Sequence, residues 1–374
     1  MQKIKILHII KKYKQNYPLI NHMVLGLDPD KYDARVCYLS GRPDGKNVLD
    51  RYQKSIYLET NADSRTLSFS AINSIKNLLK QERPAIIHCH RHRATNYGVL
   101  ACKGIHGNTA IISHVHGLGR TRTLKRRMSN WYLFKYVYRI IAVSQGVRAD
   151  VLKSNWGIIP EKVDVLYNGI NLDLIDSIPT NKEQARTLLE ASSDEMVFGA
   201  VGRLVPTKGH IYLIEAFLKV RNVFPNSRLV IIGEGPLSGE LKEISRKTSA
   251  SSQISFLGYR KNVLELLKGL DVFVFPSLAE GFPLALLEAM GSRIPVIASQ
   301  AGGIPEAFGQ NKCGILVPAK DINSLAEDMK EIAHLDQEKR KIMGNAARTR
   351  VEEAFTTDTM SKGLMDIYES VIAS

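Results

Sequence analysis

The sequence predicts an α/β protein made of two doubly wound parallel-sheet domains. Three observations carry that prediction. Short β-branched runs bounded by turn residues alternate with longer helical patterns, and the runs are apolar almost throughout, as strands buried on both faces are. The runs fall into two series, parted by the polar, turn-rich stretch 168–195 that contains Pro179. A chain of 374 residues also has room for two cores of ordinary size.

The first series is IKILHII (4–10), RVCYL (35–39), AIIHC (85–89), AIIS (110–113) and RIIAVS (139–144). The second is VFGAVG (197–202), RLVIIG (228–233), ISFLG (254–258), DVFVF (271–275) and IPVIA (294–298), with helical patterns such as HIYLIEAFLKVRNVF (210–224) between strands. This places one domain at 1–172, a connection at 173–194 and a second domain at 195–355. Residues 356–374 are expected to form a C-terminal helix packing back on the first domain. Doubly wound sheets bind ligands at the carboxyl ends of their strands, so two facing domains would form a cleft that holds the chemistry.

Several function classes are set aside by composition. Cys37, Cys89, Cys102 and Cys313 are scattered without a CxxC pair, which argues against a disulfide framework or a zinc site and suits a reducing cytosol. The opening MQKIKILHII has an apolar core of six residues, too short for a signal peptide and right for a buried strand. No segment approaches the ~18 uninterrupted apolar residues of a spanning helix. Charge is more informative. Residues 1–175 carry 28 Lys+Arg against 12 Asp+Glu, and residues 176–374 carry 23 against 25. A basic half beside a neutral one points to an anionic partner: nucleic acid, phosphorylated lipid or an inner membrane face. A solubilising charge excess is the plainer alternative.

Two stretches carry chemistry. In VGRLVPTKGH (201–210), Gly202 and Gly209 allow tight turns, while Arg203 and Lys208 set two cations near the next helix's N-terminus. Cations, free N–H groups and a helix dipole make an anion site, most naturally for phosphate, although a loop lysine is often only solvated. IIGEGP (231–236) reads as a packing turn. In FPSLAEGFPLALLEAM, Glu280 lies in the loop before a helix start marked by Gly281 and Pro283, and Glu288 falls on the second turn. Leu284, Leu286, Leu287, Ala289 and Met290 leave that turn almost no polar face. A carboxylate held there can accept two hydroxyl hydrogen bonds from a ribose.

Glu280-x7-Glu288, preceded by VFVFPS and followed by GSRIPVIASQAGGIPE, resembles the signature region of the retaining glycosyltransferases of family 4, which have GT-B architecture. GRLVPTKGH resembles the family's phosphate-binding loop, and VSQGVRADVL (143–152) and VLYNGIN (165–171) resemble its N-domain closing segment and hinge. The resemblance covers most of the chain and is densest in the C-terminal half. It implies an N-terminal Rossmann-like domain for the acceptor and a C-terminal one for the nucleotide sugar. Arg203 and Lys208 would bind and neutralise the departing diphosphate, with Gly202 in the same loop. Glu280 would sit against the donor sugar, with backbone N–H groups of Gly281 and Phe282 beside it. Glu288 would bind the ribose, and Gly258 and Tyr259 the base. The family places a histidine after the strand at 110–113; His116 fits better than His114 because Gly117 and Gly119 follow it. Glu306 also matches a family position, with a packing or helix-start role as the alternative.

The implied mechanism follows from charge. Two fixed cations and a helix N-terminus can stabilise the leaving diphosphate without a metal, and the paired aspartates that bind a divalent ion in other transferases are absent from this pattern. Metal-independent transfer is expected, with no cofactor; retention is implied by the resemblance alone. His88, His90 and His92 alternate like a metal comb, but Arg91-His92-Arg93 reads as loop, so no metal is expected there. The basic, aromatic stretch RTRTLKRRMSNWYLFKYVYR (120–139) can lie on an anionic bilayer. Nucleic-acid binding would use similar ingredients, and a core helix would bury the aromatics. The family commonly works at the cytoplasmic membrane face. The resemblance therefore favours an anionic glycolipid or lipid-linked saccharide acceptor, as in lipopolysaccharide, O-antigen or capsule assembly, with Arg91, Arg93, Arg120 and Arg122 near its entrance and no nucleic acid. One departure stands out: after the first strand the family often has paired glycines, whereas this chain has KKYKQNYPLINHM (11–23) and no glycine until Gly26. A sugar-nucleotide epimerase and a non-catalytic, transferase-like scaffold are the alternatives.

Overall fold

Parallel β-strands and flanking helices form two compact units in the computed structural model, which describes residues 3–13, 17–64, 66–103, 109–119, 123–309 and 313–373. One unit comprises Met1–Gly169 with Thr357–Ser374, the other Ile170–Thr356.

The first unit holds seven strands: β1 (Ile4–Lys12), β2 (Tyr32–Ser40), β3 (Ser55–Tyr57), β4 (Ile86–His90), β5 (Ala110–Val115), β6 (Arg139–Ala142) and β7 (Val163–Val165). They pair in parallel in the order β3-β2-β1-β4-β5-β6-β7. The second holds β8 (Met196–Val201), β9 (Ser227–Ile232), β10 (Ile254–Gly258), β11 (Val272–Phe275), β12 (Val296–Ser299) and β13 (Ile315–Val317), in the parallel order β10-β9-β8-β11-β12-β13. The ten anticipated strands all form. The three that were not anticipated, β3, β7 and β13, are three residues long and lie at sheet edges. So short an element carries no readable periodicity. Parallel strands covered on both sides explain the near-continuous apolar runs: Val272, Phe273, Val274 and Phe275 are all buried.

The stretch read as a connection, 173–194, is folded into the second unit. Leu172–Asp176 and Lys182–Leu188 are helices, the latter started by a capping box between Asn181 and Gln184. Arg186 is buried and bonds Asp271 at 2.6 Å, which ties this polar segment to β11. The C-terminal helix Thr357–Ile372 belongs to the first unit. It buries Met360, Leu364, Tyr368 and Val371 in the same core as Ile20, Met23 and Val24.

Each sheet reverses its winding once, between β1 and β4 in the first unit and between β8 and β11 in the second. In doubly wound sheets ligands bind outside the carboxyl ends of the strands at that reversal.

Candidate active site

In the second unit the loops leaving β8 and β11 meet at the reversal point. The β8 loop turns through Gly209, which has φ +68° and whose absent Cβ would stand 2.1 Å from the Pro276 carbonyl oxygen. Only glycine allows that approach. The Leu278 N–H donates to the Thr207 carbonyl at 2.7 Å, locking the two loops together. Gly233, at the end of β9, is equally constrained: a Cβ there would lie 1.9 Å from the Gly202 carbonyl oxygen. The helix His210–Arg221 then begins without a side-chain cap. Its first N–H groups stay open at the positive end of the dipole.

Three charged groups surround this opening. Lys208 Nζ donates to Glu280 Oε1 at 2.5 Å, and both side chains are mostly shielded. Lys208 also lies 5.0 Å over the Phe275 ring. Arg203 is exposed, and its guanidinium has no hydrogen bond or ion pair among the described residues. Counting Arg203, Lys208 and Glu280 leaves a net positive charge beside an uncapped helix N-terminus, which attracts an anion.

Glu288 sits on the second turn of the helix Leu284–Gly291, as expected, and is partly buried. Its carboxylate has no hydrogen-bond partner among the described residues. Burial accordingly pushes its pKa up. The carboxylate is largely shielded, with its acceptor capacity unspent.

The remaining predicted residues of this unit line the same strand ends. Gly258 ends β10 at φ +69° and receives the Gly233 N–H at 2.9 Å, while Tyr259 next to it is exposed. Gly281 is buried, and Phe282 is buried too, its ring against Phe355 at 5.0 Å. The Glu280 carbonyl accepts the Gly303 N–H at 3.1 Å, which brings the β12 loop into the cluster. Glu306 lies in the first turn of the helix Ile304–Phe308, and its own carbonyl accepts from Arg350. One residue passed over in the sequence is His210. It is buried at the helix start with Nδ1 unpartnered, and desolvation, with Lys208 nearby, lowers its pKa to about 4. It stood inside the quoted motif, but nothing in the sequence says that a helix-start histidine turns inward.

In the first unit, His116 lines a cavity of about 220 Å³ together with Arg91, Arg93, Arg126 and Phe134. Arg91, His92 and Arg93, expected in a loop, instead form the first turn of the helix Arg91–Cys102. β4 passes into that helix with Arg91 at φ +71°, a strained conformation for a non-glycine residue. Cations at a helix N-terminus oppose its dipole, so an anion there would be favoured twice. Arg93 also donates to the Thr66 carbonyl at 2.7 Å. Arg120 and Arg122 lie outside the described residues. At the end of β1, where the glycine-free segment begins, Lys11 and Lys12 both pair with Asp63, whose pKa their hydrogen bonds lower to about 2.

The comb His88-His90-His92 does not form, because His92 is on the helix. Instead His88 and His90 gather with His8, His114 and His116, a cluster that sequence spacing could not show. The nitrogens of His8, His88 and His90, and those of His90, His114 and His116, lie within 4.8 Å of one another. That is near enough for a metal ion, but these rings already hydrogen-bond one another.

Comparison with known proteins agrees with this architecture. The sequence model of the glycosyl transferases group 1 matches residues 181–350, and that of glycosyltransferase family 4 matches residues 20–174. The chain is 27% identical over 339 residues to the UDP-Gal:alpha-D-GlcNAc-diphosphoundecaprenol alpha-1,3-galactosyltransferase of Escherichia coli, covering 88% of this chain and 87% of that one. It is 25% identical to the capsular polysaccharide biosynthesis glycosyltransferase CapM of Staphylococcus aureus, covering 100% of this chain and 98% of that one. A solved glycosyltransferase from Rickettsia africae superposes with a TM-score of 0.84 at 20% identity, over 100% of this chain and 99% of the other. Anabaena HepE in complex with UDP-glucose superposes with a TM-score of 0.82 at 19% identity, over 98% and 100%.

Proposed function

Because the chain belongs to the GT-B glycosyltransferases of family 4, we propose that it moves a sugar from a nucleoside-diphosphate donor to an anionic glycolipid or lipid-linked saccharide at the cytoplasmic membrane face. Transfer is retaining and needs no metal ion. The observation that carries this reading is the β8–β11 opening: an uncapped helix N-terminus, an unpaired Arg203, and Lys208 held beside Glu280. As the glycosidic bond breaks, negative charge builds on the β-phosphate. Arg203, Lys208 and the open N–H groups stand ready to stabilise it, with no reorganisation at the moment of reaction. Glu280 keeps the Lys208 ammonium aimed and offers its second oxygen to the sugar. Glu288 takes the ribose hydroxyls.

Glu288 yields a direct test. Its raised pKa means that the folded, ligand-free protein binds its proton more tightly than the unfolded chain does. Stability from this group is therefore complete at low pH and declines as pH climbs past the ordinary carboxylate value. Glu288→Gln removes that decline, so the ligand-free variant is expected to unfold at a higher temperature than the parent at neutral pH. The same change deletes a charged acceptor worth about 1.5–3 kcal/mol, which is roughly 10- to 100-fold in nucleotide affinity. Thermal unfolding with UDP-, GDP- and ADP-sugars, each with and without EDTA, reads both effects. A shift with one nucleotide that survives EDTA supports the donor site and its metal independence; no shift with any would sink them. Nucleoside diphosphate released only when an acceptor is present separates transfer from epimerisation.

The acceptor half of the reading rests on the first unit. The Escherichia coli relative is named for a diphosphoundecaprenol-linked substrate, and the cavity at Arg91, Arg93 and Arg126 suits a phosphate-bearing group. Around the helix Leu124–Leu133 most large aromatics face outward rather than into the core: Trp131, Tyr132, Tyr136 and Tyr138 are exposed, with Met128 and Leu124. Lys135 lies 3.7 Å over Trp131, Arg127 4.8 Å over Trp156, and Lys103 4.2 Å over Tyr132. Exposed rings carrying cations fit an anionic bilayer interface. Among the described residues no helix is long and apolar enough to cross a membrane. The double variant Arg127→Glu/Lys135→Glu should lose at least about 2 kcal/mol of binding to phosphatidylglycerol vesicles, about 30-fold, from two cations at about 1 kcal/mol each. Co-sedimentation measures it, with phosphatidylcholine vesicles as the reference. Equal binding of parent and variant would remove the membrane surface from the proposal.

A further inference from the structure

The buried imidazoles of the first unit are ordered in two rows that start from one hydroxyl. Strand register sets His8 beside His88 and His90 beside His114, and alternation turns all four, with His116 beyond them, to one face of the sheet. Tyr368, fully buried on the helix Thr357–Ile372, reaches the same face. In the first row Tyr368 Oη lies 3.2 Å from His8 Nε2, His8 Nδ1 2.9 Å from His90 Nε2, and His90 Nδ1 3.1 Å from His116 Nε2. In the second, Tyr368 Oη lies 2.6 Å from His88 Nδ1, and His88 Nε2 3.0 Å from His114 Nδ1. Rings of one row stack on the other, His88 on His90 at 4.5 Å and His114 on His116 at 4.2 Å.

A neutral imidazole has one N–H and one bare nitrogen. Rings bonded end to end must therefore all point the same way. A phenol has a single O–H, so Tyr368 donates to one row and accepts from the other. Hydroxyl donors make shorter bonds than ring N–H donors, and the shorter contact is to His88. His8, His90 and His116 must then each donate from Nε2. Burial keeps the rings uncharged: it lowers the pKa of His8 and His116 to about 3 and holds those of His88, His90 and His114 well below the usual imidazole range. His116 is left with a bare Nδ1 that has no partner among the described residues, on the wall of the cavity lined by Arg91, Arg93 and Arg126.

We propose that Tyr368 is a positioning residue: through His8 and His90 it holds His116 in the Nε2–H tautomer, so that the cavity presents a neutral acceptor to a ligand hydroxyl. Arginines only donate. A saccharide hydroxyl donates as well as accepts, and the bare nitrogen completes its recognition. Only the choice of a saccharide rests on the transferase reading; the tautomer does not.

Long-range proton–nitrogen correlation spectra of the nitrogen-15-labelled full chain test this, with His116 assigned by its loss in His116→Gln. The parent is expected to show His116 Nε2 as protonated and Nδ1 as bare. In Tyr368→Phe the two resonances should move together as both tautomers populate, while Tyr32→Phe, a neighbouring phenol, should leave them apart. An Nδ1–H tautomer in the parent, or an unchanged His116 in folded Tyr368→Phe, would overturn the proposal. If Tyr368→Phe fails to fold, the tautomer in the parent decides alone. Methyl α-D-glucoside should shift Nδ1 where inorganic phosphate does not, and the reverse result would overturn the hydroxyl assignment. Added zinc should leave the spectrum unchanged; a joint shift of His90, His114 and His116 would mean a metal site and defeat the row. Absence of transfer activity in the parent would count against the transferase reading only.

Discussion

Lys208→Ala is expected to lower transferase turnover by about 10²–10³-fold, the usual cost of losing one preorganised group that stabilises developing negative charge. Lys208 is the cation that the β8 loop and β11 loop jointly hold, bonded to Glu280 and resting over Phe275. If its charge meets a diphosphate most strongly as the bond breaks, as proposed, the loss should fall on kcat more than on KM. Steady-state kinetics at saturating donor measures it. The variant also strips Glu280 of its partner, so the single change mixes two effects. Glu280→Gln and the double variant close a cycle; strong non-additivity is expected, since the two side chains act as one unit. If Lys208→Ala retained parental turnover, the β8 loop would not be the leaving-group site.

Asp271→Ala should destabilise the second unit by about 3–5 kcal/mol, the cost of removing one partner from a buried ion pair. Asp271 accepts from Arg186 at 2.6 Å, from Lys182 at 2.7 Å and from the Val197 N–H at 2.8 Å. Without it the Arg186 guanidinium remains buried and short of its carboxylate. For a unit of this size the midpoint should fall by roughly 6–20 °C. Calorimetry reads the loss, and a fall of less than about a degree would mean that the segment around Arg186 is not anchored there. Asp271→Asn, which keeps an acceptor oxygen, should lose less.

That pair also marks where sequence reading stopped. Residues 173–194 are polar and rich in turn residues, and locally nothing separates them from a connector. Their fold membership depends on Arg186 meeting Asp271, a partner 85 positions away. The first-turn placement of Arg91 and Arg93 was hidden for a related reason: a non-glycine residue at positive φ carries no mark in the sequence.

The candidate site at the β8 and β11 loops was far more legible. Gly209, Arg203, Lys208, Glu280 and Glu288 lie in two short stretches whose turns and helix starts are local, so their spacing states the geometry directly. Two parallel sheets, ten of the strands and the glycine-turned loops followed from apolar runs and turn chemistry alone. Tertiary structure decided what those groups meet. It paired Lys208 with Glu280 while leaving Arg203 open, left Glu288 with a raised pKa, turned His210 inward, and brought four histidines from three strands, with His116 just past β5, under one tyrosine. Local signals reach a few residues along the chain, whereas pairing, burial and tautomer are set by neighbours that only the folded sheet brings together.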